Sequence, residues 1–216
     1  MHIAVLGTGS AGRTLATALV LLGHEVMMGS RRAGNEAAVA WAAEAGDPAH
    51  EGSFADAAAF GEVVINATAG AASLQALEQA GAERLAGKLL LDVANPLDFS
   101  RGMPPTLTVC NDDSLGEQIQ RAFPEARVVK ALNTVTAALM VRPALVPGTH
   151  TVFVCGDDDD AKRQARELLR RFGWPDGSIL DLGDISAARG TEMYLALWLR
   201  LWGAAGTGVL NVEVRT

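Results

Sequence analysis

His2-Ile3-Ala4-Val5-Leu6-Gly7-Thr8-Gly9-Ser10-Ala11-Gly12 is the stretch whose reading decides the fold. An apolar run passes directly into glycines at 7, 9 and 12, and a helical pattern over residues 11–22 follows at once. Strand, glycine turn and helix in that order form the context in which such spacing cradles a dinucleotide pyrophosphate. Gly7 permits the tight turn, Gly9 lets the backbone approach the phosphates, and Gly12 lets helix and strand pack closely. The N–H groups around Thr8, Ser10 and Ala11, at the start of the helix, then face the anion.

The second strand selects the nucleotide. An acidic residue about 20 residues after the glycine motif would hold free ribose hydroxyls. Here Glu25-Val26-Met27-Met28 runs into Gly29-Ser30-Arg31-Arg32, and Glu25 stands at the wrong end of the strand. A hydroxyl and two guanidinium groups in place of the acid suit a ribose 2′-phosphate. NADP(H) is therefore the expected nucleotide, held by Gly7, Thr8, Gly9, Ser10, Ala11, Gly12, Ser30, Arg31 and Arg32.

Working outward, strands are expected over residues 2–6, 25–28, 63–67, 89–92, 127–131, 151–155 and 178–182. Helices are expected over 11–22, 35–45, 71–85 and 161–172. Strands alternating with helices predict an α/β fold of Rossmann type, a doubly wound, mostly parallel sheet. Residues 1–183 would form the nucleotide-binding domain. Residues 184–216 would add a small helical cap within the same globule, with a helix over 191–205 and a closing strand over 209–214. Leu195, Trp198, Leu199 and Trp202 follow helical spacing, while Tyr194, Leu197 and Leu201 cover most of the remaining surface. A helix that apolar is buried or sits at an interface, so a homodimer is expected.

The chain has 216 residues, 49% hydrophobic and 20% charged, enough to bury a core. A formal net charge of −7 disfavours nucleic acid and anionic membranes as partners. The opening strand is too short for a signal peptide, and the stretch from Met193 to Trp202 is too short to span a bilayer. Cys110 and Cys155 show no metal-ligand or disulfide spacing. A cytoplasmic protein is expected.

The quoted motifs, with Asn95-Pro96-Leu97 after a strand and Val129-Lys130-Ala131-Leu132-Asn133-Thr134, occur in the same order in NADPH-dependent coenzyme F420 reductases, and the chain resembles that family over nearly its whole length. The cytosolic domains of six-transmembrane ferric reductases look like the same group. The resemblance implies that strand ends line the nicotinamide site, with Ala67 and Thr68, Ala94, Asn95 and Pro96, and Ala131, Leu132 and Asn133 in those places. General topology agrees, since ligands of open α/β sheets sit at the carboxyl ends of strands. Asn66-Ala67-Thr68-Ala69-Gly70 departs from the more apolar, proline-containing loop expected of the family. The resemblance further implies a small-molecule redox co-substrate, with the deazaflavin of coenzyme F420 the first candidate.

Few residues suggest acid–base chemistry. Asn133 reads either as a holder of the nicotinamide carboxamide or a substrate carbonyl, or as a helix cap. Asn95 reads as a contact or a turn former. Lys130 reads as a strand-end lysine facing solvent rather than a general acid, and His24 as an exposed turn residue. Asp157-Asp158-Asp159-Asp160 caps the following helix rather than binding a metal, and Trp198 and Trp202 read as core. No metal site and no catalytic side chain is assigned. Hydride exchange with a flat ring needs mainly stacking and alignment, whereas reducing a carbonyl or imine needs a proton donor. Direct hydride transfer between NADPH and a flat ring is the leading expectation. The alternatives are flavin, ferric, imine or carbonyl reduction, or a non-enzymatic NADP(H) sensor.

Overall fold

The computed structural model describes residues 1–215. Its strands are β1 (His2–Leu6), β2 (Glu25–Ser30), β3 (Ala49–Ser53), β4 (Val63–Asn66), β5 (Leu89–Asp92), β6 (Leu97–Asp98), β7 (Thr106–Leu107), β8 (Arg127–Ala131), β9 (Val152–Cys155) and β10 (Ile179–Asp181). Its helices are α1 (Ser10–Leu21), α2 (Glu36–Ala45), α3 (Phe54–Phe60), α4 (Gly70–Ala80), α5 (Ala82–Leu85), α6 (Leu115–Ala122), α7 (Ala137–Val141), α8 (Asp159–Arg171) and α9 (Ala188–Ala205).

The main sheet has eight strands in the order β10-β9-β8-β5-β4-β1-β2-β3. The run from β8 to β3 is parallel throughout, the order of a dinucleotide-binding sheet. β9 joins β8 antiparallel, and β10 joins β9 parallel. The fold is therefore the expected Rossmann-type α/β sandwich with a C-terminal helix.

The core follows from strand alternation. Successive side chains leave opposite faces of a strand, so Ile3 and Val5 join one buried cluster while Ala4 and Leu6 join another. The first cluster packs Leu15 and Leu19 of α1, Trp41 of α2 and Leu168 of α8 against the sheet. The second packs Phe54 of α3, Leu77 of α4 and Ile119 of α6 on the other face. Fully burying a side chain of this kind stabilises by about 1.5–3 kcal/mol. Trp41 also satisfies its indole N–H, which donates to the Thr17 hydroxyl at 3.0 Å.

Several elements depart from expectation. The helix expected over 71–85 is broken at Gly81, whose φ of +93° no other residue adopts easily. Edge strand β3, the short helices α3, α6 and α7, and the small β6–β7 hairpin lie outside the expected elements. The expected closing strand over 209–214 does not form. That segment runs beside Thr151, whose N–H donates to Val212 O at 2.8 Å, without a continuing ladder. Trp202 is exposed and Trp198 half-buried, so neither lies in the core; they tilt against each other on α9 with ring centres 5.6 Å apart. Of the four aspartates, Asp158 caps α8 by accepting from Ala161 N at 2.7 Å, whereas Asp157 accepts from Ile185 N at 2.9 Å. No cluster of metal-ligating side chains exists, and no helix is long and apolar enough to cross a membrane, among the described residues.

His24 corrects another expectation. It is 3% exposed, because the chain leaves α1 through Gly23 at φ +82° and folds back so that His24 N donates to Leu19 O at 3.1 Å. Neither ring nitrogen has a hydrogen-bond partner among the described residues. Burial, with help from the Arg171 charge, holds its pKa below the ordinary 6.5. The unfolded chain then takes up this proton before the folded one does, so stability is lost as pH falls below 6.5. The melting temperature should fall between about pH 7.5 and 5.5. His24→Leu should remove part of that fall in melts followed by circular dichroism; an unchanged pH profile would refute the assignment.

Candidate active site

The sheet reverses its winding between β1 and β4, where the dinucleotide crevice of this architecture lies. Gly7 leaves β1 at φ +120°, and a Cβ on it would stand 2.6 Å from Ala67 O at the end of β4. A Cβ on Gly12 would stand 2.1 Å from Gly7 O. These two glycines allow α1, β1 and β4 to meet. Gly9 is different, because a Cβ there would point into open space. It caps α1 without a side chain, and the first turn of α1 holds no acid, so its N–H groups are free to meet an anion.

A cavity of about 650 Å³ lies over this loop. Gly7, Thr8 and Gly9 line one side, Ser30, Arg31 and Arg32 another, and Gln75 and Gln79 of α4 a third. Both arginines are exposed and form no ion pair among the described residues. The Ser30 hydroxyl donates to Arg32 O at 2.6 Å and so shapes the turn that presents them. An open backbone cradle and two uncommitted guanidinium groups fit the diphosphate and 2′-phosphate of NADP(H).

A second cavity of about 490 Å³ adjoins the first and shares Ala67, Thr68 and Ala69 with it. Ala11, Val93, Ala94, Asn95 and Met140 form its walls, and the β6–β7 hairpin brings Leu97, Asp98, Phe99 and Thr108 over it. Asp98 is its only titratable lining side chain. The backbone N–H and hydroxyl of Ser100 hold that carboxyl below the usual carboxylate range. Gln75 and Gln79 were not among the expected site residues, although their four-residue spacing puts them on one helix face. Nor were Phe99 and Thr108, because strands of two residues leave no periodic trace.

Ala131, Leu132 and Asn133 line neither cavity. Ala131 and Leu132 are fully buried and Asn133 is nearly so. They support the site from behind. Leu132 sits at φ +62°, a strained conformation for a side chain of that size. The turn it makes aims Asn133 at Asn95. Asn95 Nδ2 donates to Asn133 O at 2.8 Å, and Asn133 Nδ2 donates to Asn95 Oδ1 at 3.0 Å. Asn133 therefore caps no helix, since α7 begins after Thr136. Pro96 is buried, and its carbonyl accepts from Thr108 N at 2.8 Å, which fixes the hairpin.

Lys130 is the largest correction. It is 1% exposed, not solvated. Its ammonium donates to Asp92 Oδ2 and Glu192 Oε1, each at 2.7 Å, and to Ala94 O at 2.6 Å. Burial opposes the charge, but Asp92 and Glu192 outweigh it and hold the pKa above the ordinary lysine value. The partner that makes this possible, Glu192, comes from α9, sixty-two positions away, and no local pattern announces it. Cys155 pairs with Lys130 across β8 and β9, and burial pushes its thiol up to about 12, which leaves it inert. Lys130→Met would strand two buried carboxylates without a counter-charge. It should cost about 3–5 kcal/mol in denaturant unfolding; a loss under about 1 kcal/mol would mean that water reaches the cluster.

Comparison with known proteins places this geometry. Residues 2–96 match the family model of NADP oxidoreductases, coenzyme F420-dependent. The chain is 32% identical over 213 residues to the F420-dependent NADP reductase of Methanothermobacter marburgensis, covering 93% of this chain and 92% of that protein. It is 32% identical over 200 residues to the metalloreductase STEAP3 of Rattus norvegicus, of whose length it spans 36%. A crystal structure at 1.70 Å from Arthrobacter sp. FB24, provisionally described as an F420-dependent NADP-reductase, superposes with a TM-score of 0.93 at 54% identity, covering 99% of both chains. A reductive aminase from Aspergillus terreus shares the fold, with a TM-score of 0.66 at 21% identity over 95% of this chain and 62% of that one. With the nucleotide cradle, the strand order and full-length relatives in agreement, the chain belongs to the family of coenzyme F420-dependent NADP oxidoreductases and is an NADP-dependent oxidoreductase.

Proposed function

We propose that this protein transfers a hydride directly between NADPH and a flat redox ring, the deazaflavin of coenzyme F420 being the best-supported partner. The observation that carries the reading is the second cavity. It is walled mainly by small and apolar side chains and adjoins the nucleotide cradle at Ala67–Ala69. Its only titratable lining group is a carboxylate with no proton to give near neutral pH. Such a slot favours ring stacking over proton transfer. The nicotinamide supplies the hydride chemistry when bound. The protein contributes alignment, bringing donor and acceptor carbons to about 3–3.5 Å while excluding water. Met140 and Val93 offer apolar walls for this, and Phe99 offers a ring at the rim.

Carbonyl or imine reduction is less well supported, because the slot offers no evident acid. A sensor would have no use for an open second cavity. Flavin or ferric-chelate reduction draws support from the metalloreductase relative. The deciding assay follows deazaflavin absorbance with purified protein and NADP⁺, beside NADPH oxidation by free flavin, ferric chelate and imine. Turnover with the deazaflavin is the expected result, and rapid oxidation by another acceptor alone would overturn the assignment.

The 2′-phosphate role of Arg31 has its own test. Arg31→Ala should weaken NADPH binding by about 1.5–3 kcal/mol and leave NADH binding unchanged. Equal losses for both nucleotides would refute it. Met193, Leu197 and Trp202 expose apolar surface on α9, which supports assembly as a homodimer. Sedimentation at micromolar concentration should show the dimer, and a monomer alone would exclude it.

A further inference from the structure

Thr68 stands where the two cavities meet, and its hydroxyl belongs to a longer buried chain of hydrogen bonds. The chain begins on the C-terminal helix. Glu192 accepts from Leu115 N at 2.8 Å and Gly116 N at 3.0 Å, which anchors it to the start of α6, and it meets Lys130 at 2.7 Å. Lys130 spends its other donors on Asp92 Oδ2 and Ala94 O. Asp92 Oδ1 is then left to accept from Asn66 Nδ2 at 2.8 Å and Ala94 N at 3.2 Å. Asn66, Asp92 and Ser73 are completely excluded from solvent.

The chemistry of these groups sets the direction of each bond. A carboxylate only accepts, so Asn66 must turn its NH₂ toward Asp92. The second amide hydrogen goes to Ser73 Oγ at 3.1 Å. Asn66 Oδ1 must therefore face Thr68, and it accepts there from the backbone N–H at 3.3 Å and the hydroxyl at 2.7 Å. That spends the only hydrogen of the Thr68 hydroxyl. Ser73 Oγ lies 2.9 Å from Thr68 Oγ and can turn its own hydrogen to it or to Ala69 O at 3.4 Å. At least one lone pair on Thr68 Oγ is left over.

We propose that Glu192, Lys130, Asp92 and Asn66 act as positioning residues that fix the Thr68 hydroxyl as a pure acceptor, which selects the nicotinamide orientation whose carboxamide offers it an N–H. The inference rests on the NADP(H) reading of the two cavities and not on the identity of the electron acceptor. It also gives the unusual Asn66-Ala67-Thr68 loop a purpose. Thr68 donates no proton to the slot, and α9 reaches the nucleotide site without touching it.

Equilibrium binding separates this role from plain structural support. The ligands are NADPH and 2′,5′-ADP, a fragment without the nicotinamide end. Thr68→Val should weaken NADPH about five- to tenfold, the range for one lost hydrogen bond, and leave 2′,5′-ADP within about twofold. Thr68→Ser keeps the hydroxyl and should bind NADPH like the unaltered protein. Asp92→Asn lets the Asn66 amide flip and should reproduce the Thr68→Val loss. In the Thr68→Val background, Asp92→Asn should cost nothing more. Equal losses for both ligands would overturn the proposal, as would a full additional loss in the double variant. Should Asp92→Asn fail to fold, the valine and serine variants decide, and equal affinities for NADPH would overturn it. Failure of the unaltered protein to bind 2′,5′-ADP would overturn the NADP(H) reading itself and this inference with it.

Discussion

Lys130 holds a full charge out of reach of water, and that is tolerable only because Asp92 and Glu192 each meet it at 2.7 Å. A lone buried ammonium would cost several kcal/mol in lost hydration. Three groups from β5, β8 and α9 must therefore assemble together or not at all. This joins the carboxyl ends of two central strands to the C-terminal helix, and Glu192 extends the tie to the start of α6. Apolar burial supplies most of the folding free energy. The ionic cluster adds a requirement of position, because it is satisfied in only one arrangement of those elements.

The nucleotide site depends on that arrangement. Asp92 faces Asn66 on the neighbouring strand, and Ala94, two residues further along the chain, both gives its carbonyl to Lys130 and lines the second cavity. At the other end of the crevice the constraint is steric. Gly7 and Gly12 pack where a methyl group would collide with backbone, whereas Gly9 leaves open space facing the ligand. One end of the crevice is thus shaped by the absence of side chains and the other by a fully paired polar network. Between them the walls are mainly small and apolar, with Asp98 and Phe99 brought over them by the β6–β7 hairpin.

Gly7–Gly12 and Ser30-Arg31-Arg32 were legible in the sequence because each works within a few residues of its neighbours. A glycine turn needs no distant partner to declare its geometry, and a guanidinium in place of an acid changes the ligand wherever the strand lies. Strand and helix periodicity was readable for the same reason, since alternation along β1 or the repeat along α8 is local. Trp198 and Trp202 show where that logic ends. Their spacing marked an apolar helix, but spacing does not say which face meets the sheet, and the buried positions of α9 include Thr191 and Glu192.

By itself, then, the sequence determined the parallel α/β architecture and the glycine cradle, and it supplied the expectation of a 2′-phosphate ligand, all written in short-range pattern. Tertiary structure alone decided the environments of Lys130, His24 and Asn133, the turn at Leu132, the failure of residues 209–214 to form a strand, and the hairpin that brings Phe99 to the second cavity. The physical reason is that burial and pairing are properties of neighbours in space. Lys130 at a strand end is a solvated charge unless two carboxylates arrive from distant segments, and only the folded chain brings Asp92 and Glu192 there.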